Sequence, residues 1–222
     1  MKTVAFVPIK LNSQRLPHKN ILPFGDKPLC WHVINELINV KQIDEVYVYC
    51  SDEKIINYIP KEAKFLKRNP NLDGDLVKGF DIYKSFIDTV DADIYVLAHT
   101  TSPFLKSSTI SSALLKMIES NYDSAFSAKK VQTFAWFDNK PINYDLNDIP
   151  RTQDIEPIYV ETSGFFMFKQ DVFTKHQRRI GFNPYIQEID EYEAVDIDTK
   201  EDYEFALKLI KTLNENGREQ HV

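Results

Sequence analysis

The chain has 222 residues, 43% of them hydrophobic, enough for one sizeable core in a single domain. Its formal net charge of −6 excludes broad binding to DNA, RNA or anionic membrane, which reward a basic face, so any bound anion must be met by a local cluster of positive charge. No stretch approaches the ~18 apolar residues that span a bilayer, and the opening run MKTVAFVPIK is too short for a signal peptide, which leads to the expectation of a cytoplasmic protein. Cys30 and Cys50 lack metal-ligand spacing and read as packed, reduced thiols.

In chain order, TVAFVPI (3–9) reads as a buried strand, and LCWHVINELINV (29–40) as a helix with Trp31, Ile34, Leu37 and Ile38 at helical spacing. EVYVYC is the second strand and EKIINYI a short helix. Residues 76–90 place Phe80, Tyr83, Phe86, Ile87 and Val90 on one helical face before the strand DIYVLAH (93–99). A helix over about 107–119 leads to the strand SAFSA. From 131 to 165 the pattern dissolves into short aromatic pieces among Asn, Asp and Pro, and composition leaves open a dimer-forming inserted lobe or an irregular surface excursion. Strands return at GFFMFK and EAVDI. The final helix KEDYEFALKLIKTLNEN is capped by Thr199, with Asp202 three residues on completing a capping-box-like pair. This alternation implies right-handed crossovers and a mainly parallel α/β sheet covered on both faces, with ligands bound beyond the carboxyl ends of its strands.

Beyond the first strand lies VPIKLNSQRLPHKN (7–20), which gathers Lys10, Arg15 and Lys19 with Asn12, Ser13 and Asn20. Free backbone N–H groups after a buried strand, with a helix beginning nearby, favour an anion, and the added cations suit several phosphates. Neither a Walker A pattern nor GxGxxG occurs here, so P-loop and dinucleotide chemistry are unsupported. Near the other end, AVDID places Asp196 and Asp198 two apart, so on a strand both carboxylates face one side and can share a Mg2+ ion with phosphate oxygens. Paired acids also end strands and cap helices, and it is the phosphate loop that tips the reading toward metal.

The first loop followed by GDKPLCWHVI resembles the first motif of the acylneuraminate cytidylyltransferases and their CMP-Kdo relatives, I-P-A-R-x-x-S-x-R/G-x-x-x-K-N and then G-x-P-L. TTSPF (100–104) stands where that family has P-T-S-P, and VDIDTKEDYEFA (195–206) where it has D-x-D before a helix. The resemblance implies a Rossmann-like fold of the nucleotide-diphospho-sugar transferase type, commonly dimeric through an inserted lobe. It implies transfer of CMP from CTP to a sialic-acid-like sugar acid, with Mg2+ on Asp196 and Asp198 and pyrophosphate leaving. Asn12, Ser13, Lys19 and Asn20 would hold the triphosphate. Lys10, where the family has Arg, and Lys19 would offset charge on the pyrophosphate, and Arg68 and Asp75 would approach the nucleotide. His99, Thr100 and Ser102 would face the acceptor, and Arg151 could reach its carboxylate.

The chain departs from the pattern at Glu161, in VETSGFF, where sialate-activating relatives often carry an Arg, and at His99, where they commonly have Gln. These departures predict a modified nonulosonic acid rather than N-acetylneuraminic acid as the preferred acceptor. A CMP-Kdo-type synthetase is the alternative within the resemblance. A nucleotide-sugar-dependent glycosyltransferase would place its D-x-D in mid-chain instead.

Overall fold

The computed structural model describes residues 1–219. β1 (Thr3–Ile9) leads through a small hairpin, β2 (Pro23–Phe24) and β3 (Lys27–Pro28), to α1 (Leu29–Ile38), β4 (Glu45–Cys50) and β5 (Lys64–Lys67). Then come α2 (Gly79–Ile87), β6 (Ile94–Ala98), α3 (Ser107–Glu119), β7 (Ser124–Val131) and a second hairpin, β8 (Trp136–Phe137) and β9 (Lys140–Pro141). β10 (Ile158–Lys169), α4 (Gln170–His176), β11 (Pro184–Glu188) and α5 (Lys200–Glu219) complete the described chain.

The central sheet has seven strands in the order β11-β7-β10-β6-β1-β4-β5. β10 runs antiparallel to both neighbours and the other pairs are parallel. The chain moves from β1 outward to β4 and β5, then returns to place β6 on the opposite side of β1. That reversal opens a crevice at the carboxyl ends of β1 and β6, the place where α/β sheets bind ligands.

The near-continuous apolar runs of β1 and β6 follow from burial on both faces. Ala5, Val7, Ile9, Val96 and Ala98 pack with α1 and α3 on one side, whereas Val4, Phe6, Tyr95 and Leu97 pack with Phe86 of α2 and Phe173 of α4 on the other. Phe6 and Phe86 stack with centroids 4.3 Å apart. A third cluster, Leu16, Phe24, Leu29, Ile197 and Ala206, fastens the first loop to the segment before α5. Burial of the Cys30 thiol pushes its pKa up to about 12, which makes it an unreactive packing group. Among the described residues, no helix is long and apolar enough to cross a membrane.

β5, α4 and β11 have no counterpart in the periodicity reading, and three elements that it did name differ from it. The helix expected over 76–90 is confined to Gly79–Ile87. The irregular stretch expected over 131–165 is shorter, because β10 brings residues from Ile158 onward into the central sheet beside β7 and β6. The remaining excursion carries the β8–β9 hairpin, whose turn residues Asp138 and Asn139 adopt the left-handed φ values of 49° and 59° that a tight two-residue turn needs. Finally, EAVDI is not a strand. Glu193 is turned inward, accepting from Lys106 N at 2.8 Å and Thr109 Oγ1 at 3.0 Å, so the chain turns there and runs extended only afterwards.

Candidate active site

A cleft of about 680 Å³ opens beyond β1 and β6 and reaches across to β10. Its first wall is the loop after β1. Asn20 anchors that loop, donating to Lys10 O at 2.7 Å and accepting from Thr100 Oγ1 at 2.5 Å, so the ends of β1 and β6 are tied by one side chain. Lys10 reaches Asp75 Oδ1 at 3.1 Å, and Gln14 donates to the other oxygen of that carboxylate. Lys19, 9% exposed, donates to Ile197 O at 2.8 Å and Asp198 Oδ1 at 3.0 Å, while Arg15 meets Asp198 Oδ2 at 2.9 Å.

The acidic pair crosses from this wall to the opposite one. Ile197 N donates to Thr101 O at 2.8 Å and its side chain is buried, so Asp196 and Asp198 flank it and both line the cleft. The alternation expected of a strand therefore survives in an extended segment without a ladder. Asp202 fixes that segment, its Oδ2 accepting from Asp198 N at 3.1 Å and Thr199 N at 2.8 Å, while Thr199 Oγ1 accepts from Asp202 N at 3.2 Å. The capping box thus orients Asp198 as well as starting α5.

The second wall is the irregular part of β10. Its register with β7 shifts between Glu161 and Phe166, and Ser127 Oγ fills the gap, accepting from Phe165 N at 3.1 Å and pairing with Thr162 Oγ1 at 2.7 Å. A Cβ at Gly164 would lie 2.8 Å from that Ser127 oxygen, so glycine is what permits the approach. The shift turns Glu161, Thr162 and Ser163 toward the cleft. Glu161 Oε1 pairs with Arg179 at 2.5 Å, and the Arg179 guanidinium lies 3.7 Å from the centroid of Phe166. His99 Nδ1 faces Ser163 O at 2.8 Å and its Nε2 faces Tyr83 Oη at 3.5 Å. Burial holds His99 below the ordinary imidazole pKa despite the Ser163 carbonyl, so the ring is neutral at pH 7, with Nδ1–H donating to that carbonyl.

Asp196 differs from the other acids of the cleft. Ser163 Oγ donates to its Oδ2 at 3.3 Å, but Oδ1 is buried with no hydrogen-bond partner among the described residues. A buried carboxylate oxygen without a partner is costly, and a hard cation satisfies it. No cluster of three or more His, Cys, Asp or Glu occurs among the described residues.

Of the residues singled out by sequence, Lys10, Ser13, Arg15, Lys19, Asn20, Asp75, His99, Thr100, Glu161, Asp196 and Asp198 line the cleft together. Four stand outside its lining. Asn12 is exposed on the loop. Arg68 is 1% exposed and turned under the sheet edge, bonded to Asp73 Oδ1 at 2.5 Å and Tyr49 O at 3.2 Å. Ser102 is buried in the turn after β6, and Arg151 is exposed and paired with Asp154 at 2.7 Å. Gln14, Thr162, Ser163 and Arg179 line the cleft without having been expected. Arg179 sits in HQRRIG, which matches no motif, and the paired arginines beyond a short helix are its one trace in the sequence.

The chain is 25% identical over 214 residues to N-acylneuraminate cytidylyltransferase of Streptococcus agalactiae serotype III, covering 91% of this chain and 52% of that protein. It therefore spans about half the length of that relative. It is also 25% identical to pseudaminic acid cytidylyltransferase of Campylobacter jejuni serotype O:2, over 98% of this chain and 100% of that protein. A solved CMP:2-keto-3-deoxy-manno-octonic acid synthetase, complexed with CTP, superimposes with a TM-score of 0.75 at 20% identity, covering 96% of this chain and 99% of that one, and shares the fold. With a family model described as cytidylyltransferase matching residues 4–221, the chain belongs to the cytidylyltransferase family.

Proposed function

We propose that the chain transfers CMP from CTP to a nonulosonic, sialic-acid-like sugar acid and releases pyrophosphate. The observation that carries this reading is the apposition, in one cleft, of Lys10, Arg15 and Lys19 on a single loop against Asp196 and Asp198. The names of the relatives, N-acylneuraminate and pseudaminic acid cytidylyltransferase, support it.

Each loop cation is held by a carboxylate, Lys10 by Asp75 and both Arg15 and Lys19 by Asp198. A triphosphate entering the cleft offers those cations several negatively charged phosphate oxygens in place of the carboxylates, so the loop is already aimed when substrate arrives. Lys10 and Lys19 then offset the charge that grows on the leaving pyrophosphate, while Ser13 donates to phosphate oxygen and Asn20 keeps the loop in register. Asp196 and Asp198 are the residues that would hold Mg2+, which when bound supplies charge neutralisation at the α-phosphate. The neutral His99, its Nδ1–H committed to Ser163 O, holds Ser163 in place beside the acceptor without adding a charge, and Glu161 accepts from an N–H-bearing substituent of the sugar. Dimerisation through the excursion around β8 and β9 and a cytoplasmic location, where reduced thiols and CTP coexist, complete the proposal.

The test is a panel: CTP, UTP, ATP and GTP against pseudaminic, legionaminic and N-acetylneuraminic acids and Kdo, with Mg2+ and pyrophosphate release as the readout. CTP with a nonulosonic acid other than N-acetylneuraminic acid should turn over fastest. Turnover with Kdo alone would move the assignment to a CMP-Kdo-type synthetase, and equal use of all four nucleotides would remove the cytidine assignment.

A further inference from the structure

The cleft has an uneven distribution of charge. Its three loop cations stand at the β1 side, where Asp75 and Asp198 hold them. Among the described residues lining the cleft, Arg179 is the one Lys or Arg that the first loop does not supply. It stands at the other end, beside β10, with Thr162, Ser163 and Phe166. Arg151, the residue the sequence suggested for a substrate carboxylate, is outside the lining and paired with Asp154.

We infer that Arg179 receives the carboxylate of the sugar-acid acceptor and so fixes which end of the acceptor points at the nucleotide; this rests on the proposed CMP transfer. Stacking on Phe166 at 3.7 Å holds the guanidinium plane while leaving its edges to hydrogen-bond. Glu161 engages one Nη through one oxygen, whereas a guanidinium offers five N–H donors in a fork that matches a carboxylate. The side chains of Arg179 and Glu161 are 36% and 42% exposed, so their pair is half in water and exchanges at small cost. With the acceptor carboxylate on Arg179, the hydroxyls of Thr162 and Ser163 meet the sugar ring, and Asp196, bonded to Ser163, stands between sugar and phosphates. A phosphate-binding role is less suited to Arg179, because β6 and its loop separate β10 from β1 in the sheet.

The experiment compares wild type, Arg179→Ala and Arg179→Lys in steady-state kinetics with the best acid of the panel, alongside calorimetric titration of each protein with CTP and Mg2+. The expected result is a KM for the acid raised about 10- to 100-fold in Arg179→Ala, with CTP affinity within about twofold of wild type. Arg179→Lys should recover part of that loss, since an ammonium keeps the charge and lacks the fork. The carboxamide of the same acid should be a poor acceptor for wild type and no poorer for Arg179→Ala than the free acid is. An unchanged KM for the acid in Arg179→Ala, or a loss of CTP affinity equal to the loss for the acid, would overturn the inference while leaving CMP transfer intact. Wild type that neither binds CTP nor turns over any acid would instead remove the reading on which the inference rests.

Discussion

Asp196 and Asp198 are separated by one residue yet stand in opposite electrostatic surroundings, and this separates their expected contributions to stability from those to turnover. Asp198 compensates Lys19, which is nine-tenths buried, and also meets Arg15. Removing that carboxylate leaves the ammonium with the Ile197 carbonyl and costs about 1–3 kcal/mol. Asp196 has a buried oxygen that nothing in the described chain satisfies, so its removal relieves a desolvation penalty. We predict that Asp198→Ala lowers the melting temperature by several degrees, whereas Asp196→Ala leaves it unchanged or raises it, as read by differential scanning calorimetry without nucleotide. Both variants should lose turnover about 100-fold or more if the pair holds a catalytic cation. A melting temperature for Asp196→Ala as low as that of Asp198→Ala would mean that Asp196 serves the fold.

At the scale of elements, the seam between β6 and β10 decides how the second wall meets the first. The ladder pairs Phe165 with Ala98 and goes no further toward the cleft, and His99 continues the connection through its ring bond to Ser163 O at 2.8 Å. Burial lowers the His99 pKa in the folded state, so below the ordinary value of about 6.5 the unfolded chain takes up a proton that the folded chain refuses. More protons bound by the unfolded state means that stability rises with pH. The His99 contribution is therefore complete above about pH 6.5 and is lost as pH falls below it. His32 is lowered in the same direction by burial, so the measurement must be a difference. The stability of wild type minus that of His99→Gln, from urea unfolding between pH 5 and 8, should decline on acidification and stay flat above about 6.5. A difference independent of pH would show that the ring titrates alike in both states.

The same seam marks what sequence could and could not reveal. β1, α1 and α3 were legible because both-face burial and helical periodicity leave patterns that local reading detects, and α3 matched the expected 107–119. The capping box of Thr199 and Asp202 was legible for the same local reason. Only the apolar end of β10 could be seen, because its first half carries polar residues toward the cleft and a register shift whose support, Ser127, is 38 residues from Phe165. EAVDI alternates like a strand, and its refusal to form one depends on Glu193 capping a helix from 87 residues away. Lys10, Ser13, Arg15, Lys19, Asn20, Thr100, Asp196 and Asp198 came from ordered motifs, whereas Arg179 depends on its tertiary meeting with Phe166 and Glu161, for which the sequence carries no spacing rule.

At the scale of the whole molecule, the excursion between β7 and β10 is built to hold its own shape while presenting apolar side chains outward. Gln132 Nε2 donates to Ile155 O at 2.6 Å, Asn143 Nδ2 to Thr133 O at 2.8 Å, and the Phe134 and Tyr144 rings meet at 4.6 Å. Yet Trp136 is 54% exposed, Phe137 76%, Ile142 55% and Ile149 62%. An organised segment that keeps large apolar groups in water is suited to a partner, and in the dimer proposed above a second copy of the chain would supply the same surface for a twofold interface. In such an interface each patch is buried against the copy's patch, so Phe137→Glu with Ile142→Glu would bury four carboxylates without partners at the contact. Both side chains are exposed in the single chain, so their replacement should shift its intrinsic stability by no more than about 0.5 kcal/mol each. Sedimentation velocity at micromolar concentration should find wild type at twice the chain mass and the double variant at the chain mass, with unchanged circular dichroism. A wild type that sediments as a single chain across that range, or a double variant that still pairs, would show that the excursion does not join two copies.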